Sequence, residues 1–236
     1  MKGCDSPRRV SALLNIGGCI MRSGIELSEL EERLRLLYIC GDLADERSMD
    51  RLEGLIESGV TSVQLRVKYA DGFDLYRSAV VMTEFCRRRG TLFFVNDRLD
   101  IAMASGADGV HLGNSDLPIS AARRIAPPMF IIGATAREPE TAFMVQAEGA
   151  DYIGSGAAFV SSTKPDAKLI GPVGISRVTR LVSIPVIGIS GIRADNMTHL
   201  SGLGLSGVAV SASLAGKNGM SEAKKISDYI RGGILS

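Results

Sequence analysis

The chain has 236 residues, of which 45% are hydrophobic and 22% charged, a composition typical of a globular protein with one sizeable core. Its 27 lysines and arginines nearly balance 26 aspartates and glutamates, so a net charge of +1 provides no general field to attract nucleic acid or an anionic membrane. The 27 glycines outnumber the 7 phenylalanines and 5 tyrosines, which disfavours a stacking platform for single strands and favours close backbone approach to a small ligand.

The N-terminal region and the cysteines bear on the location of the protein. Residues 1–33 are predicted to be an extension, either a disordered tail or an over-long start with Met21 as the initiator. The apolar stretch from Val10 to Met21 only weakly resembles a signal peptide, because Asn15 and nearby glycines dilute it. The four cysteines form no Cys-x-x-Cys pair, and no apolar run is long enough to cross a bilayer, so we expect a cytoplasmic protein.

From Leu34 onward, short apolar runs alternate with amphipathic stretches of helical length, the pattern of parallel strands joined by crossover helices. The predicted strands are Leu34–Cys40, Ser62–Arg66, Leu92–Asn96, Gly109–Leu112, Phe130–Ala134, Tyr152–Ser155, Pro185–Ile189 and Gly207–Ser211. The predicted helices are Ser48–Ser58, Phe73–Arg89, Leu99–Ser105, Ile119–Ile125, Pro139–Glu148, Gly174–Leu181, Ala194–Leu203 and Ser221–Arg231.

A repeated boundary signal indicates that these elements form one closed architecture. Glycine follows a helix and precedes a strand at Gly59, Gly106, Gly149 and Gly204, as expected for helix C-termini. Eight such units predict a single-domain (β/α)8 TIM barrel over residues 34–236. An open doubly wound sheet is the alternative, but the first strand lacks a dinucleotide-binding glycine motif. In a barrel, the chemistry should lie at the carboxyl ends of the strands.

The second strand ends in a basic motif that predicts an anion site. Alternation along the strand turns Gln64, Arg66 and Lys68 toward the same side, here the mouth of the barrel. Unpaired cations are costly in such a place, which favours a bound anion as their partner. The alternative is that Arg66 and Lys68 pair with carboxylates of neighbouring strands.

The third and fourth strands bring acidic and amide side chains to the same rim. Asn96 and Asp97 follow one strand, and Asn114 and Asp116 follow the next. Few hard oxygen ligands beside basic groups predict a Mg²⁺ held jointly by Asp97, Asp116 and ligand phosphates. Alternatively, Asp97 caps the helix that follows it. His111 lies within its strand, and we expect a hydrogen-bonded wall residue there rather than a metal ligand.

Loops after the last three strands predict a second anion site. Residues 154–165 form a long loop that is rich in hydroxyls and contains Lys164, suited to cover a phosphorylated ligand. The segments around Gly191 and Ser211 fit the backbone phosphate cradle common in barrels. A merely solvated loop is the alternative for residues 154–165. Two phosphorylated ligands in one mouth are therefore predicted.

Six motifs in order carry a family resemblance: Gln-Leu-Arg-x-Lys, Val-Asn-Asp, Gly-Val-His-Leu-Gly-x-x-Asp, Gly-Ala-Asp-Tyr-Ile-Gly-x-Gly, Ser-x-Thr-Lys and Ile-Gly-Ile-x-Gly-Ile. From Leu34 to Leu214 the chain resembles the thiamine-phosphate synthases. The resemblance implies a Mg²⁺-dependent transferase that joins hydroxymethylpyrimidine diphosphate to hydroxyethylmethylthiazole phosphate and releases pyrophosphate, through a dissociative mechanism without a protein nucleophile. It implies no nucleic-acid or membrane partner, and the oligomeric state stays open between a monomer and a homo-oligomer.

The resemblance also implies roles for individual residues. The diphosphate would be held by Arg66, Lys68 and Asn96, the metal by Asp97 and Asp116, and the pyrimidine would lie near Gln64. Thr135 and Lys164 would contact the leaving pyrophosphate. The thiazole phosphate would lie near Ser161, Thr163, a backbone N–H of Gly191, Ser211 and Ala212.

The chain departs from the family pattern at several positions of the mouth. The family usually has Glu at Val67, Gln at Asn114, Ser at Thr135, His at Arg137, a proline-containing run at 157–160, Gly at Ser190 and Ser at Ala212. Asn114 and Thr135 keep the functional groups. Ser190 adds a side chain where backbone approaches phosphate, and the hydroxyl missing at Ala212 must come from Ser211 or Ser213.

Three rival functions remain open. A thiazole tautomerase would lack the aspartate after Asn96 and would use a histidine where Arg137 stands. A phosphosugar isomerase or epimerase would need a convergent acid and base pair, which we do not find in the sequence. A non-catalytic barrel that binds thiazole phosphate or thiamine phosphate would explain Val67, Ser190 and Ala212, but would not need both acidic residues and Lys164.

Overall fold

The computed structural model describes residues 25–161 and 168–235. Its strands are parallel and close into a barrel in chain order, β1 pairing with β8. The strands are β1 Leu36–Cys40, β2 Ser62–Leu65, β3 Leu92–Asn96, β4 Gly109–Leu112, β5 Ile131–Thr135, β6 Tyr152–Ser155, β7 Val186–Ile189 and β8 Gly207–Val210. The predicted (β/α)8 barrel and all its strands are confirmed.

The helices cover the outside of the barrel. They are α1 Leu27–Leu34, α2 Glu46–Glu57, α3 Gly72–Arg88, α4 Leu99–Ser105, α5 Ile119–Ile125, α6 Pro139–Glu148, α7 Gly171–Thr179, a 3₁₀ helix Ala194–Leu200, α8 Ala212–Ala215 and α9 Gly219–Arg231. α2 begins before its predicted start at Ser48, because Asp45 and Ser48 form reciprocal capping hydrogen bonds. Among the helices of the two described ranges, none is long and apolar enough to cross a membrane.

Helix α1 lies within the segment for which no element was predicted. Leu30 and Leu34 are fully buried and pack with Leu37, Leu92 and Ile131, side chains of the barrel interior. The chain enters β1 from α1, so these leucines close the end of the barrel opposite the mouth. The strand predicted from Leu34 therefore begins at Leu36. The expected disordered tail or over-long start concerns residues 1–24, which lie outside the described residues.

The apolar character of the strands follows from burial on both faces. On β1, Leu37 and Ile39 belong to the interior cluster, whereas Leu36, Tyr38 and Cys40 belong to the cluster between the barrel and its helices. Successive side chains point to opposite faces, and both faces are covered. Polar side chains that face inward are therefore exceptions, and they occur mainly near the carboxyl ends of the strands, where the site lies.

Candidate active site

A cavity of about 540 Å³ opens at the carboxyl ends of the strands, where the sequence places the chemistry. Its lining contains ten of the predicted site residues: Gln64, Arg66, Asn96, Asp97, Asp116, Thr135, Ser161, Gly191, Ser211 and Ala212. Thr163 and Lys164 lie outside the described residues. A cavity of this volume is large enough to hold small ligands of the predicted kind.

Lys68 is the described site residue that does not line this cavity. The alternation that would turn it inward stops when β2 ends at Leu65. Lys68 is exposed, whereas Arg66 is half-buried and lines the cavity. Neither Arg66 nor Lys68 belongs to an ion pair within the described ranges, which does not support the alternative that they pair with carboxylates of neighbouring strands.

Two carboxylates face the cavity from neighbouring strand ends. Asp97 has a φ of 64°, an uncommon backbone conformation for a residue with a side chain, and its N–H donates to the His111 carbonyl at 2.9 Å. The alternative capping role is not supported, because α4 begins with Arg98 as N-cap and without a side-chain cap. Asp116 accepts a hydrogen bond from the Gly113 N–H at 2.6 Å, which fixes the turn after β4.

The carboxylate and amide oxygens of the cavity suit a hard cation whose remaining ligands come from water or a bound phosphate. Asp97 and Asp116 line the cavity together with the amides of Asn96 and Asn114. In the described part of the chain, no three His, Cys, Asp or Glu side chains converge as a metal-binding group. Mg²⁺ commonly binds to one or two carboxylates, water and substrate phosphates, so a partial protein shell fits it.

A buried hydrogen-bond chain crosses the floor of the cavity. His111 Nδ1 lies 3.1 Å from the Tyr152 hydroxyl, and His111 Nε2 lies 3.0 Å from Thr135 Oγ1. Burial raises the pKa of the Tyr152 phenol and keeps it protonated, although the neighbouring Gln64 side chain has a smaller, opposite effect on that pKa. The prediction of His111 as a hydrogen-bonded wall residue is confirmed. The chain thus links Tyr152, next to Gln64 of β2, to Thr135 on β5 through His111.

Tyr152 is a site residue that the sequence analysis missed. A Cβ on Gly133 would lie 2.2 Å from the Tyr152 ring, so this ring requires glycine on the neighbouring strand β5. The one sequence feature that could have indicated this role is the tyrosine itself, since the other residues of β6 are isoleucine, glycine and serine. Its meaning depends on the register that pairs Gly133 with Tyr152.

The opposite side of the cavity is built from small residues. Ser190 and Gly191 have φ values of 79° and 69°, and a Cβ on Gly191 would lie 2.6 Å from the Val160 carbonyl oxygen. The Phe159 N–H donates to the Ser190 carbonyl at 3.1 Å, which ties the loop after β6 to the loop after β7. Gly191 is therefore required by both its backbone conformation and its close contact.

The serines after β8 have different environments. The Ser211 hydroxyl donates to the Ile39 carbonyl at 2.9 Å and joins β8 to β1. The Ser213 hydroxyl is enclosed, lines the same cavity and has no hydrogen-bond partner among the described residues. Of the two serines expected to replace the hydroxyl missing at Ala212, Ser213 is the one whose hydrogen-bonding capacity is unused within those residues.

Comparisons with known proteins agree with the fold and with the order of the motifs. The profile of a family described as thiamine monophosphate synthase matches residues 36–214. A thiamine-phosphate synthase of Fusobacterium nucleatum is 47% identical over 168 residues, covering 71% of this chain and 82% of the relative. Another, from Coprothermobacter proteolyticus, is 39% identical over 201 residues, covering 84% of this chain and 94% of the relative.

A solved structure gives the same result in three dimensions. The thiamine phosphate pyrophosphorylase of Pyrococcus furiosus superposes with a TM-score of 0.79 at 33% identity. The match covers 88% of this chain and 100% of that one. The similarity therefore extends through the barrel and includes the strand ends that line the cavity.

Proposed function

This chain belongs to the thiamine monophosphate synthase family, and on that premise we propose that it joins hydroxymethylpyrimidine diphosphate to hydroxyethylmethylthiazole phosphate. The products are thiamine phosphate and pyrophosphate. The observation that supports this reaction most strongly is a single cavity with two unlike sides. Charged and amide side chains line the cavity at and after the ends of β2 to β5, whereas small or apolar residues, apart from Arg193, line it at and after the ends of β7 and β8.

In the proposed reaction, the bond between the pyrimidine methylene carbon and the diphosphate oxygen breaks first. The electron pair leaves with pyrophosphate, and a pyrimidine methylene cation remains. The thiazole nitrogen then donates its lone pair to that carbon and forms the new C–N bond. No protein nucleophile is needed, so the residues act by binding and by stabilising charge.

On the diphosphate side, we assign Arg66 and Asn96 to the diphosphate, and Thr135 and Lys164 to the leaving pyrophosphate. The family resemblance also implies Lys68 for the diphosphate, but its exposed side chain does not line the cavity and would have to reach the ligand from the rim. Cationic and polar groups aimed at these oxygens favour bond cleavage, because negative charge builds up there in the transition state. Asp97 and Asp116 would hold Mg²⁺. Bound there, the ion would supply charge neutralisation of the diphosphate.

Gln64 is assigned to the pyrimidine ring, and the buried chain behind it gives a physical basis for that role. The Tyr152 hydroxyl lies 3.1 Å from His111 and is close enough to the buried Gln64 side chain to affect the electrostatics of the pair, so we infer that it restrains the amide before a ligand binds. A preorganised contact loses less entropy on binding than a mobile one. Tyr152 and His111 therefore act as positioning residues in this proposal.

On the thiazole side, we assign Ser161, Thr163, Gly191, Ser211 and Ala212 to the region of the thiazole phosphate. Gly191 would contribute its backbone N–H, as the family resemblance implies. The Ser211 hydroxyl already donates to Ile39, so we assign the phosphate-facing hydroxyl to Ser213, whose Oγ is enclosed and unpartnered within the described ranges.

The alternative functions explain fewer of these features. Asp97 is retained at the position where a thiazole tautomerase would lack it, and Arg137 replaces the histidine that it would use. A non-catalytic barrel needs neither of the two carboxylates that face the cavity. We also propose a cytoplasmic location, because Cys40 and Cys86 are free thiols, as is usual in a reducing compartment. The proposed reaction does not depend on whether the protein is a monomer or a homo-oligomer.

The direct test is to incubate the purified protein with both substrates and Mg²⁺ and to follow thiamine phosphate as fluorescent thiochrome. We expect product from the unchanged chain, and we expect it to disappear with a chelator or in Asp97→Ala. Binding of thiazole phosphate without any product would instead favour the tautomerase-like or non-catalytic alternative.

A further inference from the structure

The charged side chains of the mouth follow a regular order around the barrel. The loops that follow the four neighbouring strands β2 to β5 contain Arg66, Asp97, Asp116 and Arg137, and all four residues line the same cavity. Two carboxylates are thus flanked by a guanidinium on each side. The family resemblance assigns a role to the first three residues and none to Arg137, where the family usually has histidine.

The local structure turns Arg137 toward the cavity. Ala136 is buried and its N–H donates to the Gly154 carbonyl at 3.2 Å, so strand-like pairing continues one residue past β5. Thr135 and Arg137 therefore lie on the same face, which is the cavity face. Arg137 stands one step further out along β5 than the hydroxyl of Thr135.

At least one N–H donor of the Arg137 guanidinium is unused among the described residues. Its Nε is enclosed and has no hydrogen-bond partner among the described residues. The adjacent carboxylate of Glu138 is occupied by Lys168 at 2.7 Å, and this interaction lowers the Glu138 pKa. An arginine with an enclosed Nε that no described residue satisfies favours a bound anion as its partner.

We propose that Arg137 is an additional anion-binding residue of the mouth, whose guanidinium binds the diphosphate and then the departing pyrophosphate. This inference rests on the proposed function and deepens it. With Arg66 after β2 and Arg137 after β5, the diphosphate would lie between two guanidiniums, near the carboxylates that would hold its metal. Arginine suits this task because its planar donors bind phosphate oxygens in pairs.

The position of Arg137 favours the diphosphate over the thiazole phosphate. Arg137 follows Thr135 at the end of β5, and β5 pairs with β4, which Asp116 follows; Thr135 and Asp116 are assigned to the pyrophosphate and to the metal. The thiazole phosphate is assigned to the ends of β7 and β8. The cation that lines the cavity there is Arg193, which is already paired with Asp195 at 3.0 Å.

The test compares Arg137→Gln with Arg124→Gln, which removes an exposed guanidinium from α5. Calorimetric titration with inorganic pyrophosphate and Mg²⁺ should show about ten- to hundredfold weaker binding in R137Q and no change in R124Q. In steady-state kinetics, R137Q should raise the KM for the pyrimidine diphosphate and leave the KM for thiazole phosphate unchanged. R137K should recover part of the loss, and it keeps the test usable if R137Q does not fold.

The outcomes separate this inference from the proposed function. Equal pyrophosphate affinity in R137Q and R124Q would overturn it, even if the unchanged chain makes thiamine phosphate. Weaker binding of thiazole phosphate alone would overturn it as well, because Arg137 would then serve the other side. Selective loss of pyrophosphate binding in a chain that makes no thiamine phosphate would support the role of Arg137 while the proposed function fails.

Discussion

The two sides of the mouth, to which we assign different phosphates, have different linings. At the ends of β2 to β5, the groups that face the cavity are long or charged side chains such as Arg66, Asp97 and Asp116. At the ends of β7 and β8, they include Ser190, Gly191 and Ala212, the cation Arg193 is paired with Asp195, and the conformation of the backbone determines the shape. One side thus depends on charge and the other on geometry.

This difference predicts how each side responds to substitution. A charged side chain can be replaced by a neutral one of similar shape, and the loss then reports electrostatics. A backbone cradle is altered only by changing φ or by adding atoms, and the loss then reports packing. Substitutions on each side, each with a matched control, test that division.

The largest effect is expected for Asp97→Asn, which keeps the shape and removes the charge from the diphosphate side. We expect kcat/KM to fall by about a hundredfold or more, because a carboxylate ligand of a divalent cation contributes several kcal/mol. The measurement is the thiochrome assay across a range of Mg²⁺ concentrations.

The matched control for that change is Asp100→Asn. Asp100 lies three residues further on, at the start of α4, and forms an exposed ion pair with Arg98 at 2.6 Å. Exposed pairs contribute little, so activity should stay unchanged. Equal losses in both variants would mean that Asp97 acts through the local fold rather than through a metal.

The next effect is expected for Gly191→Ala on the thiazole side. The added Cβ would meet the Val160 and Phe159 carbonyl oxygens at 2.6 and 2.7 Å at a φ of 69°. We expect about 2 kcal/mol of strain, or about a thirtyfold higher KM for thiazole phosphate, with little change for the pyrimidine diphosphate. Steady-state kinetics with each substrate varied separately measures this split.

Gly202→Ala is the matched control, because Gly202 has a φ of 67° but, among the described residues, no atom within 4 Å of the place that an added Cβ would take. It should lower the free energy of unfolding by about 1 kcal/mol without changing either KM. If G202A raised the KM for thiazole phosphate as much as G191A does, the close contact at Gly191 would not be the cause.

A smaller effect is expected for Tyr152→Phe, which removes the hydroxyl between Gln64 and His111. The free energy of unfolding should fall by about 1–2 kcal/mol, and kcat/KM for the pyrimidine diphosphate by about tenfold, because buried polar groups lose their partner. Burial raises the Tyr152 pKa above its usual value, so the phenol does not ionise at neutral pH. The ratio of unchanged to variant activity should therefore be constant between about pH 6 and 9.

The half-exposed Tyr229 on α9 provides the control for that variant. Tyr229→Phe should leave stability and kinetics unchanged, since water replaces any lost contact. A Y152F enzyme with normal kinetics but lower stability would confine the hydrogen-bond chain to a structural role.

The smallest effect is expected for Ser190→Gly, which restores the residue usual in the family. Glycine removes the strain of a φ of 79° in the folded state but increases the conformational entropy of the unfolded chain. Because these effects nearly offset each other, the free energy of unfolding should change by about 0.5 kcal/mol or less. The KM for thiazole phosphate should fall by about twofold. A gain above about tenfold would show that Ser190 obstructs the phosphate side, as the non-catalytic alternative requires.

The barrel could be predicted from the sequence because its strands are buried on both faces and carry apolar runs that periodicity detects. The ends of elements were less certain where side chains decide them, as at the Asp45–Ser48 capping box that starts α2. Helix α1 was missed although Leu27, Leu30 and Leu34 have helical spacing. That this helix closes one end of the barrel depends on tertiary contacts that the sequence does not show.

Part of the site could also be predicted, because several of its residues come soon after apolar strands that the sequence reveals. Residues in the first turn after a strand, such as Asp97 after β3 and Asp116 after β4, were expected on one rim and do line one cavity. Lys68 was expected at the mouth because alternation was extended past Leu65, where β2 has already ended. Arg137 and Tyr152 required the register between strands, which brings distant residues together and leaves no local pattern.

A calorimetric titration of thiazole phosphate into the protein, first alone and then with saturating inorganic pyrophosphate and Mg²⁺, decides whether one mouth has two separate phosphate sites. We expect both ligands to bind together, each with one site per chain, so that pyrophosphate does not compete with thiazole phosphate. Mutually exclusive binding would contradict this expectation, because both phosphates would then occupy the same place.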